Sequence, residues 1–461
     1  MKLLSSLLLF SLFGAATAQE PSQGLEPVIT VNGQDFYTWQ DYTSSAAFRY
    51  YNLRCATPGA SATLANLPAY RSQASSCTLN KTVIKTQYDP DQGILYQIPV
   101  VFHVIYNSNN KGNLGNKFIT SQIDILNEDF EALLGTPGEN GTNVRVHFYL
   151  ATEDPNGNPT NGIDRVQNDN WFNDNGNYKS ALAWDTNRYL NIYTNTASGA
   201  LGYAYLPNGT GVVGTSTDGV VLLYSAVGRN AKIGPPYNQG RTATHEVGHY
   251  LGLLHTFDGG CGTSLCNNTG DLICDTNAEK NARFGCPTNA SSCGNLDPVR
   301  NYMDYTDDTC MTHFTAEQAN RIRCTMATYR PNLHTPMCPT AAASTSRNGG
   351  TNPAVFSSNK PVLGEDLTYS IFTNPYTFAT IIGYAGAGSL TLAGGQTVLV
   401  DLASPKIFQL GPLAGPNASI TVGIPLDLSF CGTAYSAQAI LFGGTTPYAL
   451  TNALDQVVGG F

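Results

Sequence analysis

The chain has 461 residues, with 24 Lys and Arg against 33 Asp and Glu, a formal net charge of −9 and only 12% charged side chains. No basic stripe or run is available to meet a phosphate backbone, which argues against a nucleic-acid partner. The length suggests two or three folding units with a proper core. Eleven cysteines, an odd count, suggest disulfides with at least one thiol lacking an intramolecular partner.

Met1-Lys2, the apolar run 3–13 and Ala16-Thr17-Ala18 form a basic start, a short apolar core and a small-residue cleavage site. Residues 1–18 are therefore expected to be a signal peptide and the protein to be secreted. That run is too short to span a bilayer, and no later stretch approaches 18 uninterrupted apolar residues. Residues 19–85 precede the first strong strand pattern and contain Cys55 and Cys77, whose spacing allows them to pair.

Residues 98–106, β-branched and aromatic, predict a buried strand. Residues 121–134 carry Ile123, Leu126, Phe130 and Leu133/Leu134 at helical spacing. Residues 144–152, 189–194 and 218–224 predict further strands. His103 and His147 fall inside strand patterns and read as structural histidines. Mixed strands with two long helices indicate an α/β (α+β) arrangement for residues 86–338.

The second helix carries Thr244-His245-Glu246-Val247-Gly248-His249-Tyr250-Leu251-Gly252-Leu253-Leu254-His255. His245 and His249, four apart, project from one helical face. Gly252 can end the helix in the left-handed conformation, letting the chain return His255 to the same point. Three imidazoles with one open position make a catalytic zinc site, and Glu246 beside them can take a proton from water. Three of only seven histidines lie within eleven positions, so an ordinary amphipathic helix is a poor explanation. A thiolate could close the open position until export, which makes Cys55 a candidate latch; a Cys55–Cys77 disulfide is the alternative. Maturation cleavage is then expected between Arg71 and Tyr96, with Lys81 and Lys85 as plausible positions.

An irregular stretch follows with Cys261, Cys266, Cys274, Cys286 and Cys293, and includes the oxygen-rich run 270–276, where a hard cation such as Ca²⁺ and an ordinary polar turn both remain open. In Asn301-Tyr302-Met303-Asp304-Tyr305, Met303 can floor the zinc site and Tyr305 can face a developing oxyanion. Residues 314–329 read as a closing helix capped at Thr315. Residues 341–346, rich in Ala, Ser and Thr, read as a linker. Short apolar runs between Gly/Pro turns over residues 339–461 suggest a small β-sandwich, for which adhesion, retention by a surface or matrix partner, sorting and simple packing on the catalytic domain all remain open.

The long histidine motif followed by Met303 resembles the metzincins, and more specifically the pappalysin/cytophagalysin family of secreted metalloendopeptidases. The resemblance rests also on Pro99-Val100-Val101-Phe102-His103-Val104, Gln122-Ile123-Asp124-Ile125-Leu126-Asn127-Glu128-Asp129-Phe130, Gly240-Arg241-Thr242-Ala243-Thr244 and His255-Thr256-Phe257. It implies a latent zymogen acting on proteins or peptides, with His245, His249 and His255 on zinc, Glu246 as general base and Tyr305 as transition-state stabiliser. It further implies calcium at Asp271 and Thr276, bridges Cys261–Cys293 and Cys286–Cys310, and Cys55 as the zinc-blocking cysteine. Thr309 stands where some relatives carry an acidic residue near the S1′ pocket, which weakens an expectation of basic preference. The competing function is an adhesion or binding protein on a protease-like scaffold; retention of Glu246 favours the peptidase.

Overall fold

A computed structural model describes residues 26–59, 75–90, 94–263, 265–338, 340–425 and 427–460. The expected signal peptide and Arg71 lie outside the described residues. Among those described, no helix is long and apolar enough to cross a membrane.

The sheet that carries the site is built on β1 (Leu95–Tyr106). Its continuous apolar run is buried on both faces, as expected of a central parallel strand. It pairs in parallel with β2 (Val146–Leu150), β3 (Ile163–Gln167) and β4 (Leu190–Asn195). β5 (Gly202–Ala204) is the edge strand, antiparallel to β6 (Val220–Leu223), which in turn lies parallel to β4. β7 (Thr335–Met337) returns antiparallel to the start of β1.

One face of β1, with Ile98, Val100, Phe102 and Val104, packs on α1 (Asn116–Phe130) and α2 (Arg241–Tyr250), using Ile119, Ile123, Leu126, Ala243 and Val247. The other face shares a core with Tyr42 and Phe48 from the short helices Trp39–Ser44 and Ala46–Tyr50. The segment ahead of the sheet therefore contributes to the folded core. α3 (Ala316–Tyr329) starts in a capping box, Thr315 accepting from the Gln318 backbone while the Gln318 side chain accepts from the Thr315 backbone.

Two sequence expectations need correction. Helix α1 spans Asn116–Phe130 rather than 121–134. Ala132 turns the chain at φ 49°, and Leu134, at helical spacing from Phe130, ends up 93% exposed; apolar spacing alone could not register that reversal. Residues 341–346 are not simply a linker, because Ala343–Arg347 forms an edge strand paired with Ala449–Val457. Backbone pairing does not require apolar alternation, and an edge position accepts Ala, Ser and Thr.

The C-terminal region is an antiparallel sandwich. Its five-stranded sheet runs Ala343–Arg347, Ala449–Val457, Ala434–Phe442, Phe378–Tyr384, Lys406–Ala414, and faces a three-stranded sheet of Phe356–Ser358, Asp366–Phe372 and Asn417–Gly423. Leu367, Tyr369 and Ile371 alternate inward to meet Ile381, Ala437 and Leu441.

Candidate active site

Every residue of α2 is buried, so its two histidines are held within the domain. His245 Nε2 and His255 Nε2 lie 3.1 and 3.0 Å from His249 Nε2. The remaining ring nitrogens are spoken for: His245 Nδ1 lies 2.7 Å from the Tyr302 carbonyl, His249 Nδ1 2.8 Å from the Leu253 carbonyl, and His255 Nδ1 3.7 Å from Asp258. Such partners on the outer nitrogen fix each ring and aim Nε2 inward. Burial and mutual repulsion hold the His245 and His249 pKa values well below the usual imidazole range, so both are neutral donors.

Two glycines make this geometry accessible. Gly252 has φ 94°, its N–H donates to the His249 carbonyl, and a Cβ there would lie 2.5 Å from Thr325 Oγ1. The chain reverses at that point and brings His255 back. A Cβ on Gly248 would lie 2.5 Å from Met303 Sδ, so the methionine packs directly against α2.

Cys55 is buried and completes the cluster: one ligand atom each from Cys55, His245, His249 and His255 lie within 4.8 Å of one another. It is also the one free cysteine. The alternative pairing with Cys77 fails, because Cys77 is joined to Cys324. The other bridges are Cys261–Cys293, Cys266–Cys274, Cys286–Cys310 and Cys338–Cys431. Three imidazoles and a thiol, all buried, are a soft nitrogen and sulfur donor set that fits tetrahedral zinc. The Nε2 separations are close to the ~3.3 Å edge of a tetrahedron with 2.0–2.1 Å metal–nitrogen bonds.

Glu246 faces the same point. Its Oε2 accepts from Cys55 Sγ at 3.3 Å and from Thr57 Oγ1 at 3.1 Å, and burial raises its pKa to about 8. Among the described residues its Oε1 has no hydrogen-bond partner. The Tyr305 hydroxyl donates to the Cys55 carbonyl at 3.0 Å. Residues 53–57 run beside edge strand β5, with the Leu201 N–H donating to Leu53 O and the Ala56 N–H donating to Gly202 O. Asp271 is buried on the following wall, accepting from Thr276 Oγ1 at 2.6 Å and from the Ile273 backbone, and burial raises its pKa to about 7. His103 and His147 lie elsewhere, held by Asn191 and Asp164 and by Glu131 respectively.

Two further site residues take their role only from the structure. Arg54, fully buried, donates to Thr242 Oγ1 at 3.1 Å, lies 3.6 Å from Asp308 and sits over the Tyr237 ring. Asp308 also accepts from the Gln239 and Arg241 backbones and is fully buried, whereas neighbouring Thr309 is exposed. The signal in the sequence is adjacency alone: Arg54 precedes Cys55, and Asp308 follows the Met303 and Tyr305 run.

A zinc-hydrolase helix, a methionine beneath it and a glutamate aimed at its histidines define a metalloendopeptidase. The peptidase M43 family model, described as pregnancy-associated plasma protein-A, matches residues 174–327. An extracellular metalloprotease of Verticillium alfalfae is 39% identical over 245 residues, covering 50% of this chain and 76% of that one. Another from Colletotrichum graminicola is 37% identical over 243 residues, covering 50% and 77%. The solved structure of mature mirolysin from Tannerella forsythia in complex with a cleaved peptide is 38% identical, covering 52% of this chain and 99% of that chain with a TM-score of 0.43. The chain belongs to the M43 (pappalysin) family of metalloendopeptidases.

Proposed function

We propose that the chain is exported as a latent zinc endopeptidase, with His245, His249 and His255 holding the metal and Cys55 closing the fourth position until residues 53–57 are withdrawn. The observation that carries this reading is the four-residue cluster itself, in which the one cysteine unpaired among the described residues meets all three histidines. Zinc held there supplies a Lewis acid that acidifies water to near neutrality and polarises a peptide carbonyl.

The chain's own groups do the rest. Withdrawal of Cys55 and Thr57 frees the Glu246 carboxylate, which takes the proton of the attacking water and delivers it to the leaving amine. The Tyr305 hydroxyl, engaged by the Cys55 carbonyl in the latent form, becomes available to the oxyanion of the tetrahedral intermediate. Edge strand β5 recovers its backbone groups for an extended substrate. The space that Arg54 fills beside buried Asp308 would, once vacated, suit a basic substrate side chain. Asp271 and Thr276 are the residues we propose for a stiffening calcium ion.

The direct test compares matured protein with its Glu246→Ala variant on an unstructured protein substrate. Cleavage is expected to fall by about 10²–10⁴, the usual contribution of a general base. Equal cleavage by both proteins refutes the mechanism.

A further inference from the structure

We propose that residues 75–90 are a permanent part of the active enzyme rather than of the releasable prosegment, and that they position the zinc loop through Arg321. The inference rests on the zinc reading of His249 and His255.

The segment opens with a hairpin, Cys77–Thr78 paired with Lys81–Thr82. Cys77 is bonded to Cys324 on α3. One turn earlier on the same helix, Arg321 is fully buried. Its Nε donates to the Gly252 carbonyl at 2.8 Å, its Nη2 to the Thr78 carbonyl at 2.8 Å and its Nη1 to Thr82 Oγ1 at 2.6 Å. Gly252 is the hinge between His249 and His255, so one guanidinium ties the hairpin to the reversal that aims the third histidine.

Other contacts point the same way. Asn208 Nδ2 donates to the Cys77 carbonyl at 2.7 Å and to Thr325 Oγ1 at 3.1 Å, and both Asn208 and Thr325 occupy the space that a Cβ on Gly252 would need. Leu79 shares an apolar cluster with Leu254, the residue before His255. Further along, Asn320 donates to the Lys85 carbonyl and to Asp89. Among the described residues no carboxylate lies within salt-bridge distance of Arg321; Asp271 attracts its charge from further off, and its hydrogen bonds go to these neutral acceptors. Stripping the hairpin would orphan several of its donors beside the zinc loop, and unsatisfied buried donors are strongly destabilising.

This revises the expected maturation position. Cleavage after Lys81 or Lys85 would leave residues up to that bond attached through Cys77–Cys324, and both lysine carbonyls are engaged, by Arg321 or Thr78 and by Asn320. The boundary of the retained chain lies before Ser75.

The first test is mass mapping of the matured enzyme, reduced and unreduced. A Cys77 peptide linked to a Cys324 peptide, with the Lys81–Thr82 and Lys85–Thr86 bonds intact, is the expected result; a mature chain beginning beyond Lys81 overturns the proposal. The second is zinc retention against a competing chelator, with wild type required to hold one zinc. Arg321→Gln is expected to weaken retention about 10–100-fold, the usual effect of losing a group that orients a ligand, and the milder Thr82→Val to weaken it less while leaving the fold intact. Wild-type retention in a folded Thr82→Val and Arg321→Gln pair overturns the positioning role. A wild type that holds no zinc overturns the histidine reading beneath it.

Discussion

Two stretches ahead of the sheet grip opposite ends of α2, and they do so by different chemistry. At the N-terminal end, residues 53–57 present Arg54 to Thr242 and Asp308, and Cys55 to the histidines. At the C-terminal end, the Cys77 hairpin reaches Gly252 through Arg321 and is bonded covalently to α3. On the proposed mechanism, several of the groups that meet residues 53–57 are ones a substrate would also use: edge strand β5, the Glu246 and Asp308 carboxylates and the Tyr305 hydroxyl. Among the described residues the hairpin instead meets Arg321, Asn208, Leu254 and Cys324. A reversible plug and a fixed buttress can thus lie within thirty residues of each other, distinguished by whether their contacts are shared with substrate.

The plug should show the largest effect. An intramolecular ligand acts at an effective concentration on the order of mM, so Cys55→Ala should raise cleavage by the unprocessed chain roughly tenfold or more; an equally silent precursor would show that the thiol is not the closure. Next comes the pocket. In matured protein, Asp308→Asn should lower kcat/KM for substrates with a basic side chain in that pocket by roughly ten- to hundredfold, the range of a buried charge-assisted hydrogen bond. Neutral substrates should be nearly unaffected, and equal losses on both would assign Asp308 to folding alone.

The smallest effect concerns the wall. Burial raises the Asp271 carboxyl to about 7, above its unfolded value of about 3.9. The folded state therefore holds the extra proton between those values, and stability falls as pH rises through that window, with the full cost present above pH 7. Bound calcium would favour the carboxylate and flatten the decline. Melting curves in chelator and in calcium, from pH 5 to 8, should diverge by a few degrees at the alkaline end; coincident curves argue against calcium at Asp271.

What the sequence disclosed follows from sequence distance. His245, His249 and His255 occupy eleven positions on one helix and its turn, so local periodicity was enough to bring them together, and Met303 and Tyr305 share one short turn. The core of β1 was legible for the same reason, as one uninterrupted apolar run. By contrast, Arg54 meets Asp308 across 254 positions and Cys77 meets Cys324 across 247; neither pairing has a local pattern. The Ala343–Arg347 strand escaped notice because backbone pairing with Ala449–Val457, not side-chain alternation, defines it.

The central claim is that Cys55 shares one zinc with three histidines before activation. X-ray absorption at the zinc edge of the unprocessed protein tests it directly. Three nitrogen neighbours and one sulfur are expected, with the sulfur replaced by oxygen after maturation; a zinc shell without sulfur in the precursor rules the thiol closure out.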